Sequence, residues 1–407
     1  MAVTSNPKVR GISLMLVVAL AVLCTAPTAK TTHLDADKEY VLMVRGEELR
    51  FVARPELGYV VKTRQDAASI EALSRILKGV GSVDISPIGG LGRKGVRVVY
   101  SERPAAENEK TVNLLRLRKE VQYAAPLFSS NGETVAIIPE IVVRVKPHTQ
   151  IEALQMLCEA AGCTINKRME FTEQEYLLEV FGPDAEAVLT AVEQLGQAPC
   201  IEWACPNTAF RPKLCGQAVP HARDSGEKLR ADAPEQDANA PGIFPNDEYF
   251  PLQWYLHNTG QDGATPGVDI NAPEAWEITT GDPNVVIAVI DCGVDSSHPD
   301  LIDNLVPGYD FFEGDTKSDP ARQDRHDAHG TACAGTAAAK GNNGIGVAGV
   351  AYDCKIMSVR HNNATKYISW ANEATALRWT AAHGADVISC SWGGRMAMLC
   401  FTRPSRT

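Results

Sequence analysis

Two residues in the C-terminal half of this 407-residue chain have the types and the setting for proton-transfer chemistry. Asp291 closes the apolar run VVIAVID and is followed by Cys292-Gly293. His329 stands 38 residues further on, before Gly330-Thr331, at the head of the small-residue run HGTACAGTAAA. An acid at a strand end and an imidazole at a helix start can converge for base catalysis. The carboxylate fixes the ring tautomer and stabilises the imidazolium that forms when the histidine takes a proton. Taken singly, each has a plainer reading: Asp291 as a helix cap, His329 as a satisfied core histidine.

Positioning them is the work of an alternating pattern of strands and helices. VVIAVID, YDCKIMSVR and ADVISCSW are apolar enough to be buried on both faces, as strands of a parallel sheet are. GTACAGTAAA and ISWANEATALRWTAAHG read as helices between them. The result is an α/β, doubly wound pattern, in which sites form at the carboxyl ends of the strands, where Asp291 stands.

Two segments carry a resemblance. DCGVDSSHPDL (Asp291–Leu301) and HGTACAGTAAA (His329–Ala339) resemble the aspartate and histidine motifs of the subtilisin family of serine proteases, in the family's order. NNGIGVAGVAYDCKIMSVR and VISCSWGG are similar to the segments that follow, and CSWG resembles the kexin-type branch. The resemblance spans roughly 245–394 and implies that Asp291 and His329 are catalytic. It implies that Ser391, Trp392 and Gly393 form the strand that pairs with a bound peptide, so that substrate main chain adds as an extra strand. It also implies a structural calcium ion, held by Asp300 and Asn343, by the carbonyls of Gly341, Ile345 and Val347, and by Asp247 as in the thermitase-like branch. Oxygen ligands from a loop suit that ion; the plainer reading is a Gly/Asn turn without one. Cys292 departs from the Asp, Ser or Thr usual beside the aspartate. The family's nucleophile, a serine in a Gly-Thr-Ser motif, has no counterpart: the chain ends sixteen residues after Ser391, and Gly-Thr-Ser occurs nowhere in it. The expectation is a truncated or frame-shifted product, inactive as given.

The N-terminal half contains a repeat. Ile70-Glu71-Ala72-Leu73 recurs as Ile151-Glu152-Ala153-Leu154, and VQYAAP at Val121–Pro126 recurs as IEWACP at Ile201–Pro206. Shifts of 81 and 80 mark a duplication. Each copy, 40–128 and 135–211, reads as strand, helix, two strands, helix, strand, which is the order of an α+β ferredoxin-like module. These modules resemble subtilase propeptides, and the second, beside the linker, is the expected inhibitor. Residues 212–244 are polar and bear Pro and Gly, as a linker does; 245–407 is expected to be the N-terminal half of the peptidase domain. The fold class expected is thus α/β, a partial subtilisin-like doubly wound parallel sheet preceded by two α+β ferredoxin-like modules.

Lys8 and Arg10, the apolar stretch Ile12–Leu23 and small residues to Ala29 describe a secretory signal peptide over 1–29, too short for a stable membrane span. The expected location is outside the cell or in its envelope, with disulfides permitted among eleven cysteines. A net charge of −11 argues against nucleic acid as a partner. The partners implied are a peptide or protein substrate and the chain's own propeptide-like modules. Two alternatives to an endopeptidase precursor remain at this point. One is a non-catalytic protein whose modules bind or inhibit another protease; the other is a cysteine hydrolase using Cys333 or Cys292 with His329.

Overall fold

The computed structural model describes residues 38–45, 47–64, 67–78, 83–89, 91, 95–101, 103–214, 242–321, 325–362 and 367–393. The segment read as a signal peptide, most of the segment read as a linker and the tail after Gly393 lie outside them. Among the described residues no helix is long and apolar enough to cross a membrane.

The strands, in chain order, are β1 (Glu39–Val44), β2 (Glu47–Ala53), β3 (Gly58–Thr63), β4 (Val83–Gly89), β5 (Val96–Ser101), β6 (Val121–Pro126), β7 (Phe128–Ser130), β8 (Glu133–Val145), β9 (Cys163–Arg168), β10 (Glu175–Val180), β11 (Ile201–Phe210), β12 (Lys213–Leu214), β13 (Val286–Asp291), β14 (Leu305–Asp310), β15 (Lys355–Arg360), β16 (Tyr367–Ser369), β17 (Val387–Ser389) and β18 (Trp392–Gly393). The helices are α1 (Ala67–Lys78), α2 (Ala105–Arg116), α3 (Ile151–Ala160), α4 (Ala185–Gly196), α5 (Ala272–Trp276), α6 (His329–Ala338) and α7 (Trp370–Ala382).

Both repeats fold as βαββαβ units with the same strand order. In the first it is β4-β5-β3-β6; in the second it is β9-β10-β8-β11, and every neighbouring pair is antiparallel. That is the ferredoxin-like topology. Helix α2 starts at Ala105, directly after Pro104, because proline fixes the backbone at a helix entrance. Asp184 caps α4 by accepting the N–H of Ala187. The two units share one hydrophobic core rather than holding separate ones: Val60 and Val98 of the first belong to the same buried cluster as Val143, Leu178 and Leu189 of the second. Polar contacts join them as well. Ala124 N–H donates to Pro183 O at 2.9 Å, and Lys62 pairs with Glu179.

The C-terminal part is a four-stranded parallel sheet in the order β14-β15-β13-β17. Side-chain alternation along β13 sends neighbours to opposite faces. Val289 packs with Ala334 and Ala338 of α6, while Ala288 and Ile290 pack with Ala376 of α7. Helices thus cover both faces, as a doubly wound sheet requires. Small residues let α6 come close: a Cβ on Gly349 would lie 2.4 Å from the Cα of Ala338. The edge strand β17 leaves Val387 about half exposed. Lys213 and Leu214, placed in the linker by composition, instead form β12 and pair antiparallel with β18. The first residues of ISWANEATALRWTAAHG are likewise strand, not helix: β16 precedes α7, whose start is capped by the Ser369 side chain accepting from Asn372 N–H.

Candidate active site

Asp291 ends β13 at the carboxyl edge of the parallel sheet and is fully buried. His329 is the first residue of α6, after a 3-10 turn over Arg325–Ala328. The fold brings the two together: His329 Nδ1 lies 2.9 Å from Asp291 Oδ1 and 3.0 Å from Oδ2. Asp291 Oδ1 also accepts the N–H of Cys292 at 2.7 Å. A carboxylate on Nδ1 makes that nitrogen the proton carrier and leaves Nε2 as the basic site. Gly330 makes the approach possible, since a Cβ there would lie 2.4 Å from Gly293 O and 3.0 Å from Asp291 Cβ.

Cys292, the departure from the usual residue, is buried and structural. Its Sγ lies 3.2 Å from Asp327 O and accepts the N–H of Gly330 at 3.3 Å, and burial, with the Asp291 charge, pushes the thiol up to about 12. A thiol held neutral to that degree is no nucleophile. Cys333 is half-buried, with its Sγ 3.7 Å from His329 Nδ1 and 4.0 Å from Nε2.

The three residues read as the peptide-pairing strand lie next to this pair. Trp392 and Gly393 form β18, and the Trp392 indole N–H donates to Ile290 O at 2.6 Å, which ties β18 to the residue before Asp291. Ser391 sits just outside the strand, its Oγ 3.4 Å from Ser389 Oγ. The outer edge of β18 is taken by this chain itself, with Lys213 opposite Gly393 and Leu214 opposite Trp392.

The second βαββαβ unit rests on α7. Asn207 Oδ1 accepts the Ala371 N–H at the helix start at 3.2 Å, while Asn207 Nδ2 donates to Glu140 at 2.8 Å. Arg378 Nη2 meets the buried Glu175 at 2.6 Å, and the Phe210 and Trp370 rings stack at 4.5 Å.

The residues read as calcium ligands form one cluster in part. Asp300, 1% exposed, accepts from Asn343 Nδ2 and from Val347 N–H, both at 2.9 Å. Gly346 has φ +57, and a Cβ there would lie 2.3 Å from Asp300 Oδ2. Asp247, 2% exposed, accepts the Asn342 N–H at 2.6 Å, and its Oδ1 has no partner. Burial, with the Asp300 charge adding to it, raises the Asp247 carboxyl above its usual range. Gly341 lies against the Tyr352 ring, and Ile345 donates its N–H to Asn343 Oδ1. Two buried carboxylates from separate loops, one with an orphaned oxygen, fit a hard divalent cation.

Sequence reasoning missed two buried groups here. His361 N–H donates to Asp291 O at 3.1 Å, its ring lies 4.5 Å from that of Trp392, and burial, only partly opposed by Asp291, lowers it to about 4. Glu373 on α7 is 3% exposed with Oε2 unpartnered, and burial pushes its carboxyl up to about 8. Neither has a sequence signature. A lone acid in an alanine-rich helix reads as a solvated face until the helix rotation is known.

Residues 282–403 match the subtilase family. Neuroendocrine convertase 2 of Drosophila melanogaster is 36% identical over 210 residues, 50% of this chain and 31% of that protein. The human neuroendocrine convertase 2 is 38% identical over 161 residues, 39% of this chain and 25% of its own length. The chain spans about a fifth to a third of the length of the curated relatives it matches. Among solved structures, fervidolysin from Fervidobacterium pennivorans, a keratinolytic enzyme related to subtilisin, aligns with a TM-score of 0.44 at 23% identity, over 63% of this chain and 36% of that one.

Proposed function

On the premise that residues 282–403 belong to the subtilase family, we propose that this chain is the precursor form of an exported subtilisin-like serine endopeptidase. The observation that carries this is the Asp291–His329 pair, 2.9 Å apart at the carboxyl end of a parallel sheet, beside a strand already paired with a segment of the same chain. Asp291 holds the Nδ1 proton, so His329 Nε2 can accept the proton of a hydroxyl nucleophile and return it to the leaving amine. Trp392–Gly393 receives substrate main chain as an added strand, which aligns the scissile bond. Gly-Thr-Ser is absent from these 407 residues, so this chain by itself supplies the proton acceptor and the substrate strand but not the family's nucleophile.

In this reading the second βαββαβ unit is an intramolecular inhibitor, and Lys213–Leu214 occupies the place of substrate. Its contacts with α7 favour action within this chain over the alternative, a module for inhibiting another protease. Asp247, Asp300 and Asn343, with the carbonyls of Gly341, Ile345 and Val347, would hold calcium. The ion would supply structural bracing of the 341–347 loop behind α6 and take no part in the reaction. Export rests on the composition of 1–29.

The test is peptide binding by the full chain. Leu214→Pro removes one N–H from β12 and frees β18. A fluorescent peptide copying residues 207–216 is expected to bind this variant and not the wild type, and Gly393→Pro placed on top is expected to abolish the binding. Equal anisotropy for all three proteins would remove the assignment of β18 as the substrate strand.

A further inference from the structure

The first βαββαβ unit has no role in the reading above, yet peptidase residues fix its place. β16 is only three residues long and is held on both edges. On one side Ile368 and Ser369 pair antiparallel with Phe210 and Ala209 of β11, in the second unit. On the other, Tyr367 and Ile368 pair in parallel with Ile88 and Gly89 of β4, in the first unit. The strand thus joins the sheets of both units into one.

Side chains close the same junction. Tyr367 lies with its ring 5.8 Å from that of Tyr100 on β5. The Arg211 guanidinium sits 5.1 Å from the Tyr100 ring and 5.9 Å from the Tyr367 ring, so it bridges the two. Ile88, Tyr367 and Ile368 are at most 1% exposed. Three residues is the short end of the usual strand length, and an open edge leaves backbone N–H and C=O groups unsatisfied. The second unit satisfies one edge of β16; only the first satisfies the other.

We infer that the first unit is a second docking lobe for the peptidase segment that leads into α7. The N-terminal half grips β16 from both edges as a two-lobed clasp, and the partner of the β4 edge is this chain's own residues 367–369. The inhibitory reading gives the clasp its consequence, because α7 and its entry strand cannot leave the second unit while β4 still holds the far edge. The pairing itself stands apart from that reading, which concerns β12 on β18.

The test is hydrogen exchange of the full-length chain, read on peptides covering 367–369, 392–393, 286–291 and 96–101. Gly89→Pro removes the N–H of β4 at the pairing position. Arg211→Ala, outside the first unit, removes the bridge over Tyr100 and Tyr367. Both are expected to speed exchange at 367–369 at least tenfold with 286–291 unchanged. Unchanged exchange at 367–369 in both variants overturns the proposal. If Gly89→Pro unfolds the first unit, seen as fast exchange at 96–101, continued protection of 367–369 overturns it and loss of that protection supports it. Exchange at 392–393 reports separately on β12, so failure there with 367–369 still protected counts against the substrate-mimic reading and leaves the clasp intact.

Discussion

Glu373→Gln should stabilise the protein, by an amount that grows with pH. Glu373 is buried on α7 with one carboxylate oxygen unpartnered, and burial holds its carboxyl protonated up to about pH 8 instead of 4.5. In the unfolded chain the same group ionises at its ordinary value. The folded value is raised, so the unfolded state releases its proton first as pH rises. Stability is therefore greatest below about pH 4.5, falls through the interval up to about 8, and levels off above it. Each unit is worth about 1.4 kcal/mol, so the interval amounts to at most about 5 kcal/mol. Glutamine has nearly the same shape and no ionisation, so the variant lacks this slope. The gap between variant and wild type is expected to be near zero at pH 4.5 and to widen by at most about 1.4 kcal/mol per unit until it flattens above pH 8. Urea unfolding followed by tryptophan fluorescence from pH 5 to 9 reads it, and the difference between the two proteins cancels the other titrating groups, His361 among them. An infrared band of a protonated carboxyl, present in the wild type at pH 7 and absent from the variant, reads the same state directly. A gap that stays below about 1 kcal/mol across the range, with no such band, would show an ionised and compensated Glu373 and refute the argument.

Gly330→Ala should break the Asp291–His329 geometry, because the new Cβ would meet Gly293 O at 2.4 Å; a cost of about 1–3 kcal/mol and loss of the downfield imidazole N–H proton signal are expected, and an unaltered signal would mean the helix shifts freely. Calcium at a hundredfold excess over its dissociation constant should stabilise the chain by about 2.7 kcal/mol in thermal unfolding, with the gain lost in Asp300→Asn; no shift in the wild type would leave the 341–347 loop as a turn without an ion. The 407-residue chain should neither hydrolyse peptides above background nor react with a serine-directed fluorophosphonate, and labelling of any serine at a rate matched to peptide turnover would contradict this.

Local pattern was enough to read much of this protein. Residues that alternate or recur at helical spacing report burial, so the repeat, the βαββαβ order of each copy and the parallel strands around Asp291 were all legible. The Asp291–His329 pair was legible too, because its glycine, threonine and small-residue surroundings answer to close packing at one strand end and one helix start. Periodicity carries no information about who packs against whom, and there the chain alone fell short. The shared core of the two units and the grip on β16 depend on contacts between residues such as Ile88 and Tyr367, 279 positions apart. Lys213 and Leu214 look like linker because two residues are too few to show a strand period; they became one only by pairing with Trp392 and Gly393. His361 and Glu373 are ordinary polar residues in sequence, and their perturbed ionisation arises from burial, which is set by how helix and sheet rotate against each other. What local residue types dictate can be read along the chain, whereas desolvation and edge pairing exist only once distant segments have met.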